Sequence, residues 1–452
     1  MLLPLRCPND HDIVIYAIEQ TLGLTSTALA NMSKIQQVQS QGIFHGLPVY
    51  PKETTGLTAI ITGANGISGH YMLRVLAQSP SRWKKIYCLS RRPPIVPGGL
   101  PSNAEHIPLD FLKDPTEIAE TLKKKNVTAD HIFFFSYVQP PPKPGKGLWS
   151  DADEMVRVNS ELLSNFLEAL QQASITPQRF MLQTGAKKYG VHLGPTKVPQ
   201  EESDPRIELE PNFYYPQEDL LFDYSKATGC GWSICMPGPI TGAVPDAAMN
   251  YAYPLAVFAS VSKRLGRALE FPGDEASWQM NQSMSYAMMN ACLEEWSVLQ
   301  GPADNMYNAF DGSAFTWEAA WPKIASWFGI EPQGPQEGRA YKATETRFNP
   351  RGYGQKGVTN RRLSMAEWAK REEVQAAWKE MAAEHELSMP EEAELDRIFG
   401  FLDGTLCRPA PLLFSPDKAR KLGWHGYVDS RDALKETFVD LAKLKMIPFL
   451  DQ

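Results

Sequence analysis

Residues 57–69, Leu-Thr-Ala-Ile-Ile-Thr-Gly-Ala-Asn-Gly-Ile-Ser-Gly, constrain the fold more than any other stretch of this chain. An apolar, β-branched run ends at Thr62 and is followed by glycines at 63, 66 and 69. That order predicts a buried strand, a tight turn and a helix whose first N–H groups face an anion. Gly63 permits the turn, Gly66 lets backbone approach a pyrophosphate, and Gly69 allows close helix–strand contact. The helix dipole and the unsatisfied N–H groups supply the attraction. A glycine triplet is weak evidence alone; its strand–turn–helix context makes it a dinucleotide signal.

The next strand ends in Ile86-Tyr87-Cys88-Leu89-Ser90-Arg91-Arg92. An acidic residue there would bond a ribose 2′-hydroxyl and select NAD. Ser90 and two guanidinium forks instead suit the 2′-phosphate of NADPH. The alternative is a pair of solvated surface arginines. Asp110, after Ile107-Pro108-Leu109, lies where such folds contact adenine, with a turn or helix-capping aspartate as the competing reading. Asp130-His131-Ile132-Phe133-Phe134-Phe135-Ser136-Tyr137 reads as a further buried strand over 131–136.

At 452 residues the chain exceeds one compact domain, and its 43% apolar content supports a sizeable core. A net charge of −7 without blocks of like charge points away from nucleic acid and anionic membranes. No apolar run reaches the roughly 20 residues of a membrane helix. The six cysteines show no metal-binding spacing, so no metal is expected. Reduced thiols and the lack of a secretory signal give a cytoplasmic expectation.

Strands alternate with helical patterns from 57 to about 245, which predicts an α/β, Rossmann-type doubly wound parallel sheet. Beyond 246 the pattern turns to helices with aromatic faces, at 252–265, 284–296, 316–328 and 365–385, and predicts a smaller, mainly helical substrate lobe. Trp278, Trp296, Trp317, Trp321, Trp327 and Trp368 concentrate there; most should pack, with one or two lining a pocket. The division expected is an N-terminal extension at 1–55, a nucleotide-binding domain at 56–245 and the lobe at 246–452, some of whose segments return to the first domain. Within the extension, 13–22 fits a short amphipathic helix and 36–41 a loose polar segment. Loops rich in proline and glycine are expected at 93–101 and 140–147, and a mobile loop or lid at 331–364.

Short-chain reductases of this architecture carry Tyr-x-x-x-Lys, one helical turn placing the ammonium near the phenol. No such spacing occurs here. A substitute cation follows the strand at 179–184, in Gly185-Ala186-Lys187-Lys188-Tyr189, at a strand C-terminus where open α/β sheets bind ligands. Either Lys187 or Lys188 satisfies that reading. Asn212-Phe213-Tyr214-Tyr215-Pro216-Gln217-Glu218-Asp219 supplies adjacent tyrosines at a helix start near 215, and a regular helix turns only one of them inward.

These residues resemble motifs of the progesterone 5β-reductase/iridoid synthase family, known as PRISE. The resemblance rests on Asn212–Asp219, on Thr184-Gly185-Ala186-Lys187-Lys188-Tyr189, on the glycine turn, on Ser90-Arg91-Arg92 and on Pro237-Gly238-Pro239-Ile240-Thr241-Gly242. It extends from about 56 to 430 through Phe271-Pro272-Gly273, Asn308-Ala309-Phe310-Asp311-Gly312 and Phe315-Thr316-Trp317. Departures are Met236, where the family commonly has arginine, and the segments 1–55 and 331–364, which lack a clear counterpart.

The family comprises atypical extended short-chain reductases that use NADPH to reduce activated C=C bonds. The resemblance assigns Tyr214 as the catalytic phenol and Lys187 as the catalytic lysine. It implies hydride attack on the β-carbon of a small apolar enone or enal, in specialised metabolism, with Tyr214 on the developing enolate oxygen. Expected cofactor contacts run through Thr62, Gly63, Asn65, Gly66, Ile67, Ser68 and Gly69, then Ser90, Arg91, Arg92 and Asp110, and close with Thr184, Pro237 and Ile240. Glu218 and Asp219 are expected in structural pairs. Other readings on the same fold are a carbonyl reductase or sugar-nucleotide enzyme, and a non-catalytic NADPH-binding scaffold. The expected partner is the small substrate; a homodimer is an open option.

Overall fold

The computed structural model describes residues 37–141, 150–246, 249–349 and 355–450. The helix expected at 13–22 and most of the 140–147 loop lie outside them.

The organising element is a sheet of seven parallel strands: β3 (Leu57–Thr62), β4 (Trp83–Ser90), β5 (Ala104–Pro108), β6 (His131–Phe134), β7 (Arg179–Gln183), β8 (Gly231–Pro237) and β12 (Asn305–Ala309). Their spatial order is β12-β8-β7-β6-β3-β4-β5. The chain winds outward from β3 to β5, then returns to β6 on the other side of β3. That reversal opens a crevice beyond the strand C-termini, between β3 and β6. Ile60, Ile61, Ile132, Phe133, Phe180 and Met181 are fully buried, because helices cover both faces.

On one face, α1 (Ile67–Ala77) packs with the later helix 287–299 around Tyr71, Met72, Leu76, Trp83 and Trp296. On the other lie α2 (Pro115–Lys124), α3 (Ala152–Gln172) and α4 (Tyr214–Thr228). α2 starts where Asp114 accepts from the Thr116 N–H at 2.8 Å with Pro115 in its first turn. α3 buries Met155, Val158, Leu162, Leu163, Phe166, Leu167 and Leu170, the stripe that its helical period demands.

The helical lobe packs residues of 252–264, 317–327, 365–406 and 430–443 into one apolar cluster. Trp317 and Trp321 have no exposed surface and belong to it. The helix expected over 365–385 breaks into 365–369 and 372–385, with Arg371 extended at the start of the second. A short strand pair knits the lobe to the sheet domain, β9 (Ile240–Thr241) with β11 (Ser285–Tyr286), while β10 (Leu269–Glu270) and β13 (Pro332–Gln333) pair within the lobe.

Three expectations are corrected. The strand expected to reach 136 ends at Phe134, because the Thr62 hydroxyl accepts the Phe135 and Ser136 N–H groups at 3.0 and 3.2 Å and takes them from any ladder. The segment 36–41 is not loose where described: β1 (Val38–Gln41) pairs antiparallel with β2 (Phe44–Pro48), and β2 pairs with β16 (Tyr427–Val428). Within 331–364, β14 (Lys342–Glu345) and β15 (Val358–Arg361) form a hairpin, fastened by a 2.9 Å ion pair from Arg361 to Asp403.

Among the described residues no helix is long and apolar enough to cross a membrane, and no group of His, Cys, Asp or Glu could hold a metal.

Candidate active site

The glycine turn closes the C-terminal end of β3. Gly63 has φ +63°, and its N–H donates to the Leu89 carbonyl at 2.9 Å. A Cβ there would sit 3.0 Å from the Phe135 carbonyl oxygen; one on Gly69 would sit 2.5 Å from the Gly63 oxygen. Both positions therefore exclude side chains. Gly66 precedes α1, whose N-terminus has no side-chain cap and no acidic residue in its first turn. Among the described residues no side chain caps its leading N–H groups, which leaves their partial positive charge at the end of β3. Asn65 and Ile67 are half-buried there, while Ser68 is buried. Thr62 is wholly buried, its hydroxyl occupied by the two N–H groups above.

At the end of β4, the Ser90 hydroxyl donates to the Arg92 carbonyl at 2.7 Å and shapes the following bend. Arg91 is exposed and lines a cleft of 390 Å³ together with Pro108, Leu109 and Asp110. Asp110 makes a turn as well, accepting the Leu112 N–H at 3.1 Å. Arg92 is largely exposed, 4.0 Å from Asp246.

The third group surrounds the end of β7. Thr184 is buried and its hydroxyl has no hydrogen-bond partner among the described residues. Gly185 follows in extended backbone; a Cβ on it would lie 2.9 Å from the Tyr214 hydroxyl and 3.3 Å from the Pro237 carbonyl oxygen. Tyr214, from the first turn of α4, thus meets the ends of β7 and β8 beside the one-turn 3-10 helix Ala186–Tyr189 that carries the lysines. Ile240 lies just beyond, in β9.

The two lysines have different fates. Lys188 is 4% exposed and pairs with Glu218 at 3.1 Å, while Arg206 reaches the same carboxylate at 2.9 Å and Asp219 at 2.8 Å. Lys187 is half-buried, and burial lowers its pKa to about 8 against the opposing influence of Glu210. The tyrosines diverge too, although both turn inward. Tyr215 is the more buried, but its hydroxyl donates to the Lys188 carbonyl at 2.9 Å and accepts the Ile207 N–H at 2.7 Å. Tyr214 is raised above the ordinary tyrosine range, first by burial and then by Tyr137, so it stays protonated at neutral pH.

Sequence reasoning assigned no role to Asn212, which ties the two elements together. Its amide donates to the Lys187 carbonyl at 3.1 Å and its side-chain oxygen accepts the Tyr214 N–H at 3.1 Å. It also passed over Tyr137, which follows the C-terminal end of β6, where the crevice rule could have pointed to it. His192 is held neutral near pKa 3 by burial and then by Lys187, and its ring lies 3.7 Å from Glu210.

A profile described as a PRISE-like Rossmann-fold domain matches residues 59–349. The chain belongs to the PRISE family. A 3-oxo-Delta(4,5)-steroid 5-beta-reductase of Arabidopsis thaliana is 27% identical across 88% of this chain and 95% of its own length. An (S)-8-oxocitronellyl enol synthase of Catharanthus roseus is 27% identical across 86% and 92%. The chain's fold also resembles that of a UDP-glucose 4-epimerase of Thermotoga maritima, with TM-score 0.54 and 13% identity over 86% of this chain and 99% of that one. At that identity the likeness is one of fold. This PRISE protein is therefore an oxidoreductase of the extended short-chain dehydrogenase/reductase type.

Proposed function

We propose that the chain is an NADPH-dependent reductase of an activated C=C bond in a small unsaturated carbonyl compound. The observation that carries this reading is the Tyr214 hydroxyl against Gly185 at the end of β7, with Lys187 on the adjoining turn. The activities named for the two relatives, a steroid 5-beta-reductase and an enol synthase, both suit a site that stabilises an enol or enolate.

The residues fit a dinucleotide. The uncapped start of α1 and the side-chain-free turn at Gly63, Gly66 and Gly69 would cradle a pyrophosphate. Arg91 and Arg92 would meet a 2′-phosphate, Asp110 and its cleft the adenine side, and the unpartnered Thr184 hydroxyl, Pro237 and Ile240 the nicotinamide side. A nicotinamide held there would supply hydride to the substrate β-carbon.

The chain's own groups do the rest. As the C=C electrons move onto the carbonyl oxygen, the protonated Tyr214 phenol donates a hydrogen bond to that oxygen. Lys187 adds positive charge beside it while protonated. A proton from solvent then completes the saturated carbonyl product at the α-carbon.

Purified protein with NADPH and a panel of enals and enones should saturate the C=C bond. Tyr214→Phe should lower kcat by roughly 100-fold; an unchanged rate would remove Tyr214 from the mechanism. Replacing Arg91 and Arg92 together should raise KM for NADPH far more than for NADH. Equal losses would make them plain surface residues.

A further inference from the structure

Asp246 places one carboxylate between two arginines that come from different parts of the molecule. Its Oδ1 pairs at 2.9 Å with Arg397, on the lobe helix Leu395–Leu406. Its Oδ2 lies 4.0 Å from Arg92, just past the end of β4. Arg397 also pairs with Glu394, whereas Arg92 has no other ionic partner among the described residues.

The segment that carries Asp246 has a fixed course. After β9, a Cβ on Gly242 would lie 2.8 Å from the Tyr71 ring and 3.1 Å from the Ile67 side chain. The Ala243 N–H donates to the Tyr71 hydroxyl at 2.9 Å. Ile67 and Tyr71 stand in the first turns of α1, the end that a pyrophosphate would meet. The chain therefore crosses that end of α1 and then brings a negative charge to Arg92.

A carboxylate beside Arg92 opposes a 2′-phosphate in two ways. It engages donors that the phosphate needs, and it repels the dianion directly. Arg397 opposes both effects, because it holds the same carboxylate at the shorter distance and adds a positive charge.

We propose that Asp246 and Arg397 together set how strongly the protein discriminates NADPH from NADH. Asp246 competes with the 2′-phosphate for Arg92, and Arg397 draws the carboxylate away. This rests on the reading that gives Arg92 to the 2′-phosphate. Both are positioning residues that act through Arg92, and a dinucleotide without the phosphate is indifferent to them.

Calorimetric titration with NADP⁺ and NAD⁺ tests this without turnover, and NAD⁺ is the control for damage to the fold. The parent protein should bind NADP⁺ more tightly. At low salt, Asp246→Asn should raise the NADP⁺-to-NAD⁺ affinity ratio roughly threefold or more, and Arg397→Met should lower it by a similar factor. In the double variant that loss should vanish, leaving the ratio of Asp246→Asn, because Arg397 acts through the carboxylate. If Arg397→Met does not fold, Asp246→Asn decides alone. A ratio that Asp246→Asn leaves unchanged or lowers would overturn the proposal, as would an Arg397→Met loss that persists in the double variant. A parent protein that binds the two dinucleotides equally would overturn the NADPH reading and this proposal with it.

Discussion

Lys187 and Lys188 are neighbours in sequence with opposite duties. Lys188 is spent on Glu218, whose carboxylate it shares with Arg206. Glu218→Gln leaves two cations facing a neutral amide in a buried place, and should cost about 3–5 kcal/mol by urea denaturation. Lys187 titrates near pH 8, so it is charged below that pH and neutral above it. If its charge supports the enolate, kcat/KM should fall as pH rises through about 8, and Lys187→Arg should move that limb upward. A pH profile unchanged in the arginine variant would remove Lys187 from the rate. Sequence alone could place a lysine at the end of β7 but could not choose between the two. Glu218, on a different element and brought near only by the fold, engages Lys188 and so favours the proposed role of Lys187.

At the scale of elements, the segment 212–219 is a brace. Asn212 joins the Lys187 carbonyl to the Tyr214 N–H, and Tyr215 joins the Lys188 carbonyl to the Ile207 N–H. Asn212→Ala cuts one of the direct links between the lysine-bearing turn and the tyrosine-bearing helix, leaving those from Lys188 to Tyr215 and Glu218. It should lower kcat roughly tenfold, a misplacement effect, with a smaller change in KM for the cofactor. Equal kcat in the variant would show that the remaining links set the spacing. The glycine turn obeys a simpler constraint. Gly69→Ala places a methyl 2.5 Å from a backbone oxygen that cannot yield, and should cost about 1–3 kcal/mol along with dinucleotide affinity, read by thermal melting with and without NADP⁺. This turn was legible in the sequence because its cause lies within a few residues. The end of β6 was not, because Thr62 on the adjacent strand decides it, and the paired state of 38–41 was not, because its sheet is completed from residues 427–428.

For the whole molecule, one buried histidine contributes to the acid limit. His131 is 4% exposed, and burial lowers it to about 4. In the unfolded chain it titrates near 6.5, so below that pH the unfolded state binds more protons at this ring. Its contribution is intact above pH 6.5 and is lost as pH falls toward 4, at about 2–3 kcal/mol. The urea midpoint should fall less between pH 6.5 and 4.5 in His131→Phe than in the parent protein. Equal falls would show that the ring is protonated in the fold. The doubly wound class of the sheet, by contrast, was readable at this scale, because strand and helix patterns alternate along 57–245; its seventh strand, Asn305–Ala309, was not, since it lies beyond that stretch among helices.

The pairing of β2 with β16 has a consequence for how the chain is made. The seven-stranded sheet has all its strands once residue 309 has been synthesised, whereas the edge of β2 at Phe44–His45 gains its partner only with Tyr427 and Val428. Through most of translation the β1–β2 hairpin therefore carries an open edge, available to any other nascent strand. Ribosomes stalled before codon 427 should release chains whose sheet domain resists protease while Phe44–Pro48 is cut, and a few more residues should close that site.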